Sequence, residues 1–194
     1  MRAGLTVHAR AAVFRDRDSY AWRVVPGAPA ATSPASDWNR LLRLRGEWRG
    51  AKKVVVWTNG VFDLLHVGHL HSLEAARSLG DVLVVGLNSD ASVRAIKGSG
   101  RPVVPEGERA ELLRALRTVD EVVIFNEHTP EQALARLKPD VHCKGADYAP
   151  PNGSPIPELE LVRSYGGRVE FLPLITGVST TDLIRRLSAS PEHR

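Results

Sequence analysis

From residue 37 onward the chain alternates short apolar runs with longer segments of helical period. Trp38, Leu41, Leu42 and Trp48 recur at helical spacing and predict a helix ending near Gly50. Lys53 to Trp57 predicts a short buried strand. Asp81 to Leu87 predicts a second, apolar throughout its middle, as parallel strands covered on both faces tend to be. Between them a helix is expected from about His66 to Leu79, closed by Gly80. A short helix from Asp90, then Glu106 to Leu116, leads to a third strand at Glu121 to Phe125. Thr129-Pro130-Glu131-Gln132 predicts a helix start, with threonine as the N-cap, proline at the first helical position and glutamine three residues after the cap. Val141 to Lys144 follows as a fourth strand, and Ile156 to Tyr165 as a helix stopped by Gly166-Gly167. Arg168 to Leu172 makes a fifth strand, and Ser179 opens the last helix. The pattern predicts the α/β class: a single Rossmann-like, doubly wound domain over residues 36–190. Its parallel sheet would have about five strands, with ligands bound beyond their carboxyl ends.

Residues 1–35 lack this periodicity. They are rich in Ala, Arg and Pro, and Pro26-Gly27-Ala28-Pro29 to Ser33-Pro34 reads as a linker. The stretch is treated as an N-terminal extension whose order the pattern does not define.

Composition narrows the partners. The length of 194 residues suits one such domain. A formal net charge of +4 is mild, and the Lys and Arg residues are scattered among acids, so nucleic acid is not the default partner. A phosphorylated small substrate suits the balance equally well. Cys143 is the only cysteine, which rules out an intrachain disulfide. With no secretory signal and no apolar run long enough for a membrane, a cytoplasmic protein without membrane attachment is expected.

The chemistry concentrates after the first strand. Thr58-Asn59-Gly60 reads as a turn exposing backbone N–H groups, followed by a helix start near His66. A helix N-terminus offers unpaired N–H groups and a positive dipole end, which favour phosphate. His66 and His69 lie three apart and project to one side of a helical turn, and Gly68 lets a ligand approach the backbone. Two imidazoles there can donate hydrogen bonds to a phosphoryl group as its charge redistributes. The plainer readings are two satisfied histidines at a helix start, or half of a metal site. No Cys/His cluster has zinc spacing, and no metal ligands are assigned.

Thr58-Asn59-Gly60-X-Phe62-Asp63 with His66-X-Gly68-His69 resembles the HxGH signature of the cytidylyltransferase-like nucleotidyltransferases. Downstream elements resemble the D-glycero-D-manno-heptose 1-phosphate adenylyltransferases within that superfamily. They are Asn88-Ser89-Asp90, Lys97-Gly98-Ser99-Gly100-Arg101-Pro102, Arg109, Val119-Asp120, Thr129-Pro130, Lys144-Gly145-Ala146-Asp147-Tyr148 and Gly177-Val178-Ser179-Thr180-Thr181. The resemblance implies transfer of AMP from ATP to a sugar 1-phosphate, with pyrophosphate released. It implies His66, His69, Lys97 and Lys144 as the catalytic groups. Thr58, Asn59, Gly60, Val61, Phe62, Gly68, Ser179, Thr180 and Thr181 would bind the nucleotide, and Asn88, Arg101, Arg109 and Asp147 the sugar phosphate. Mg2+ would ride mainly on the triphosphate. Dimers are common in the family, so a homodimer is among the expected states, and a separate sugar kinase would supply the substrate.

Several of these residues have plainer readings too. Lys97, in a Gly-flanked loop, reads equally as a solvated surface lysine, and Arg101 as a loop surface residue. Arg109, beside Glu106, Glu108 and Glu111, reads as a helix-surface ion pair. Lys144 ends an apolar strand, where ligands gather. Ser179-Thr180-Thr181-Asp182 has the form of a capping box. Two rival functions stay open. One is a cytidylyltransferase acting on glycerol 3-phosphate or a similar small phosphate. Such enzymes tend to carry an arginine where this chain has Leu174-Ile175-Thr176-Gly177. The other is a non-catalytic nucleotide-binding module.

Overall fold

The computed structural model describes residues 12–15, 22–25, 37–151, 153, 155–173, 177 and 179–189, the first two segments by backbone alone. The chain divides into two compact units, residues 1–34 and residues 35–194. In the first, β1 (Ala12–Arg15) pairs antiparallel with β2 (Trp22–Val25), with Ala12 opposite Val25. The reading of Pro26 to Pro34 as a linker lies outside the described residues.

The second unit opens with α1 (Trp38–Gly50), capped by the Asp37 side chain, which accepts from the Arg40 N–H at 2.8 Å. Then follow β3 (Val55–Gly60), α2 (Val67–Arg77), β4 (Val82–Asn88), α3 (Asp90–Lys97), α4 (Glu106–Arg114) and β5 (Glu121–Phe125). The rest is α5 (Glu131–Leu137), β6 (Val141–Gly145), a 3-10 turn (Ala146–Tyr148), α6 (Leu159–Ser164), β7 (Arg168–Leu172) and α7 (Thr180–Ala189). All strands of the five-stranded sheet run parallel, in the order β5-β4-β3-β6-β7. This is the predicted α/β architecture. The strand order reverses between β3 and β6, and helices feeding off opposite faces open a crevice there.

Alternation along β3 explains the two cores. Val56 packs with Leu73, Leu83, Val85 and Leu113 on one face, while Val55 and Trp57 pack with Val84, Phe125, Leu134 and Val162 on the other. Each large apolar side chain fully buried this way stabilises the fold by roughly 1.5–3 kcal/mol. Gly86 on β4 makes room for Trp57, because a Cβ there would lie 2.2 Å from the indole ring. Among the described residues no helix is long and apolar enough to cross a membrane.

Four boundaries differ from expectation, each for a local reason. β3 runs on through Thr58-Asn59-Gly60, because the ladder with β4 continues to the Gly60–Leu87 pair; the turn comes after Gly60. Lys97 ends α3 instead of sitting in a loop, and Gly98 follows at φ 95°. α5 begins after Pro130, whose ring occupies the cap, and Thr129 Oγ1 donates to the Glu131 carboxylate at 2.7 Å instead of accepting from the helix. α6 starts only at Leu159, because Pro157 disfavours helical backbone at the preceding Ile156.

Candidate active site

Beyond Gly60 the chain turns through 61–65, with Phe62 at φ 47° and Leu64 at φ 51°. Left-handed backbone costs a residue with a Cβ roughly 1–2 kcal/mol, so the turn needs an external clamp. Asp63 supplies it. Its fully buried carboxylate accepts from Arg101 Nε at 2.7 Å and from the N–H groups of Val103 and Val104 at 2.9 and 3.0 Å. Its carbonyl accepts from Thr180 Oγ1 at 2.8 Å, tying the turn to the start of α7. Burial pushes the Asp63 carboxyl up, but the two N–H donors and Arg101 together bring it below the usual range.

His66 caps α2. Its backbone N–H donates to His69 Nδ1 at 3.4 Å, and the two rings stack with centroids 3.8 Å apart at 22°. Phe62 tilts against His69 at 5.3 Å. Because His69 Nδ1 accepts, the proton of the neutral ring is assigned to Nε2. Burial, and then the neighbouring His66, push His69 down to about 4, and burial pushes His66 down as well. At neutral pH both imidazoles are therefore uncharged, and each keeps one N–H that it can donate.

These histidines open into a cavity of about 550 Å³. Gly60, Val61, Phe62 and Gly68 line it with the imidazoles, as do Ser179, Thr180 and Thr181 from the start of α7. Ser179 Oγ accepts from the Asp182 N–H at 3.1 Å, so capping and cavity lining coincide in one residue. Lys97, Arg101 and Asp147 complete the expected members, and Arg101 keeps its ion pair with Asp63.

A second cavity of about 400 Å³ shares Gly60, Val61 and Lys97 with the first. Thr58, Asn59, Asn88 and Lys144 line it, with His128, Tyr148 and Glu158. Lys144 lines this cavity and the histidines line the first. Its Nζ donates to Glu158 Oε1 at 2.9 Å and lies 4.2 Å from the centre of the Tyr148 ring. Asn88 is buried and donates to Ser92 Oγ at 3.0 Å. Cys143 is also at this wall but almost wholly buried, and burial pushes its thiol up to about 12, as expected of an inert thiol.

Arg109 departs from both of its readings. It is fully buried and lines neither cavity. Its guanidinium donates to the carbonyls of Val104, Val61 and Asn88 and, at 2.6 Å, to the Asp90 carboxylate. With its donors so engaged it fastens the cavity walls and does not meet a substrate. Sequence reasoning passed over Asp63 and Glu158. Asp63 stands inside the HxGH segment and was signalled by position alone; Glu158 lies in a proline-rich stretch without local pattern.

Comparison with known proteins fits this geometry. Residues 57–186 match the model of the family described as cytidylyltransferase-like. A protein of Pelobacter propionicus named "Bifunctional protein HldE" is 54% identical over 135 residues, which cover 70% of this chain and 27% of that protein. The protein of the same name from Streptomyces coelicolor is 46% identical over 172 residues, covering 84% of this chain and 36% of its own length. The chain thus spans about a third of these relatives. The crystal structure of a lipopolysaccharide core biosynthesis protein from Thermoplasma volcanium superposes with a TM-score of 0.50 at 30% identity, covering 63% of this chain and 97% of that one. The chain belongs to the cytidylyltransferase-like family of nucleotidyltransferases.

Proposed function

We propose that the chain transfers AMP from ATP to D-glycero-D-manno-heptose 1-phosphate, releasing pyrophosphate and forming ADP-heptose. The observation that carries the reaction type is the stacked His66–His69 pair, which lines one cavity together with the hydroxyl-bearing start of α7. Two helix N-termini and two N–H-donating rings suit a polyphosphate whose charge shifts during transfer. The choice of sugar rests on the resemblance of the Lys97–Pro102 and Lys144–Tyr148 segments to heptose 1-phosphate adenylyltransferases. A relative described by its role in lipopolysaccharide core biosynthesis supports it.

In the reaction, an oxygen of the sugar 1-phosphate attacks the α-phosphorus of ATP in line. The new P–O bond forms as the bond to the β-phosphate oxygen breaks, and that electron pair leaves with pyrophosphate. The protein's part is positioning and charge stabilisation. His66 and His69 donate to the reacting phosphates, Arg101 and Lys97 balance their charge, and Ser179 to Thr181 hold the departing pyrophosphate. Lys144 acts from the adjoining cavity on the substrate portion seated there. Among the described residues no cluster of three His, Cys, Asp or Glu is placed to hold a metal ion. Magnesium would enter on the triphosphate, held by phosphate oxygens and water, and offset their charge. The protein would act in the cytoplasm, with a homodimer as its assembly and a sugar kinase, on whichever polypeptide, making the 1-phosphate.

Pyrophosphate release from ATP or CTP, each paired with heptose 1-phosphate or glycerol 3-phosphate, tests the reading. Turnover confined to ATP with the heptose phosphate is expected. Preference for CTP with glycerol 3-phosphate would move the assignment to that activity. Nucleotide binding without turnover in any pair would leave only a binding module.

A further inference from the structure

The second cavity contains a side-chain cluster that the transfer chemistry above leaves unexplained. β6 alternation places His142 and Lys144 on one face, and both reach the same oxygen of Glu158: His142 Nε2 at 3.1 Å and Lys144 Nζ at 2.9 Å. Glu158 is 1% exposed and His142 fully buried, while the Lys144 side chain keeps 14% of its exposure. Tyr148 closes over the ammonium. Burial alone would push the Glu158 carboxyl up, but the His142 and Lys144 bonds outweigh it and bring it to about 2. Burial pushes His142 down, so its neutral ring donates from Nε2 to a carboxylate that only accepts.

We propose that Glu158 is a positioning residue for the transfer reaction: anchored by His142, its carboxylate fixes the Lys144 ammonium at the wall of the second cavity. Buried ion pairs of this kind add little net stability compared with apolar packing, so stability alone gives weak grounds for keeping one. A free lysine side chain samples many rotamers and loses that freedom when it is held. Tethering it between carboxylate and aromatic ring removes that freedom before substrate arrives, which is the benefit of preorganisation. The tether reaches across the sequence from the strand end to the N-terminus of α6, and the Pro155 to Pro157 segment brings Glu158 to the cavity wall. This inference rests on the proposed transfer reaction for its kinetic part only.

The test uses the full chain as wild type, Glu158→Gln, Lys144→Met and the double variant. Acetylation of Lys144 by an amine-reactive reagent at fixed pH, read by peptide mass spectrometry with exposed Lys97 as reference, reports the tether without turnover. Glu158→Gln should raise Lys144 labelling several-fold and leave Lys97 unchanged. In kinetics with ATP and heptose 1-phosphate, Glu158→Gln should cost about tenfold in kcat/KM, yet less than about twofold when Lys144 is already Met. If Glu158→Gln fails to fold, Glu158→Asp, which withdraws the carboxylate by one methylene, should show the same labelling pattern. Equal Lys144 labelling with and without Glu158, or losses that multiply in the double variant, would overturn the proposal. Absence of turnover in every variant and substrate pair would instead overturn the transfer reading, and the labelling result would still decide the tether.

Discussion

The two cavities lie side by side at the carboxyl end of the sheet, yet they are built in opposite ways. The histidine cavity is assembled by backbone: a left-handed turn, two helix starts and the Asp63 clamp, with uncharged imidazoles facing inward. The lysine cavity is assembled by side chains, with Lys144 held by Glu158, His142 and Tyr148. Backbone donors are fixed by the fold and suit a group whose charge changes during reaction. A tethered ammonium suits a group whose charge stays constant. Under the proposed transfer reaction, the first cavity would stabilise the transition state and the second would position the substrate.

The largest effect should come from the clamp. Asp63→Ala leaves two N–H groups and Arg101 without their acceptor and should cost about 3 kcal/mol in urea unfolding, as loss of a buried charged partner does. A change near zero would mean that the turn holds itself. Lys97→Ala, shared by both cavities and exposed, should cost about tenfold in kcat/KM while stability shifts by less than about 0.5 kcal/mol. Loss of stability without loss of rate would remove it from the site.

Acid titration weakens both cavities with the same sign, but His69 and Glu158 lose their contributions over different pH ranges. His69 sits at about 4 in the folded chain against 6.5 when unfolded, so the unfolded state takes its proton first and stability is lost as pH falls between those values. His66 and His142, also pushed down by burial, act in the same direction. Glu158 is lowered from 4.5 to about 2, so its contribution is full above 4.5 and is lost as pH falls towards 2. Melting temperatures of His69→Gln from pH 7 to 4 should fall less steeply than those of wild type; parallel curves would contradict the buried, uncharged His69. The smallest effect belongs to Thr129→Ala, within about 0.5 kcal/mol, since its hydroxyl does not cap α5.

How much of this was legible in the sequence follows the same division. The parallel sheet was readable because Val82 to Leu87 is apolar without interruption and the Val54 to Trp57 run is bounded by Lys53 and Thr58. The histidine cavity was readable because Gly60 to His69 lie within one contiguous segment. Its capped partner at Ser179 carried the Ser-X-X-Asp pattern that the structure retains. Arg109 misled because neighbouring glutamates suggest a surface, whereas its burial depends on carbonyls from three separate segments. Glu158 was invisible because its meaning lies in residues 14 and 16 positions away. Leu174, Ile175 and Thr176, where related cytidylyltransferases tend to carry an arginine, lie outside the described residues.

The central claim is that the stacked histidines stabilise nucleotidyl transfer. Its most direct test is the rate of pyrophosphate release from ATP and heptose 1-phosphate by wild type and by a folded His69→Ala variant. The account predicts a loss of about a hundredfold or more, the scale of a missing transition-state hydrogen-bond donor. Near-normal turnover in that variant would contradict it.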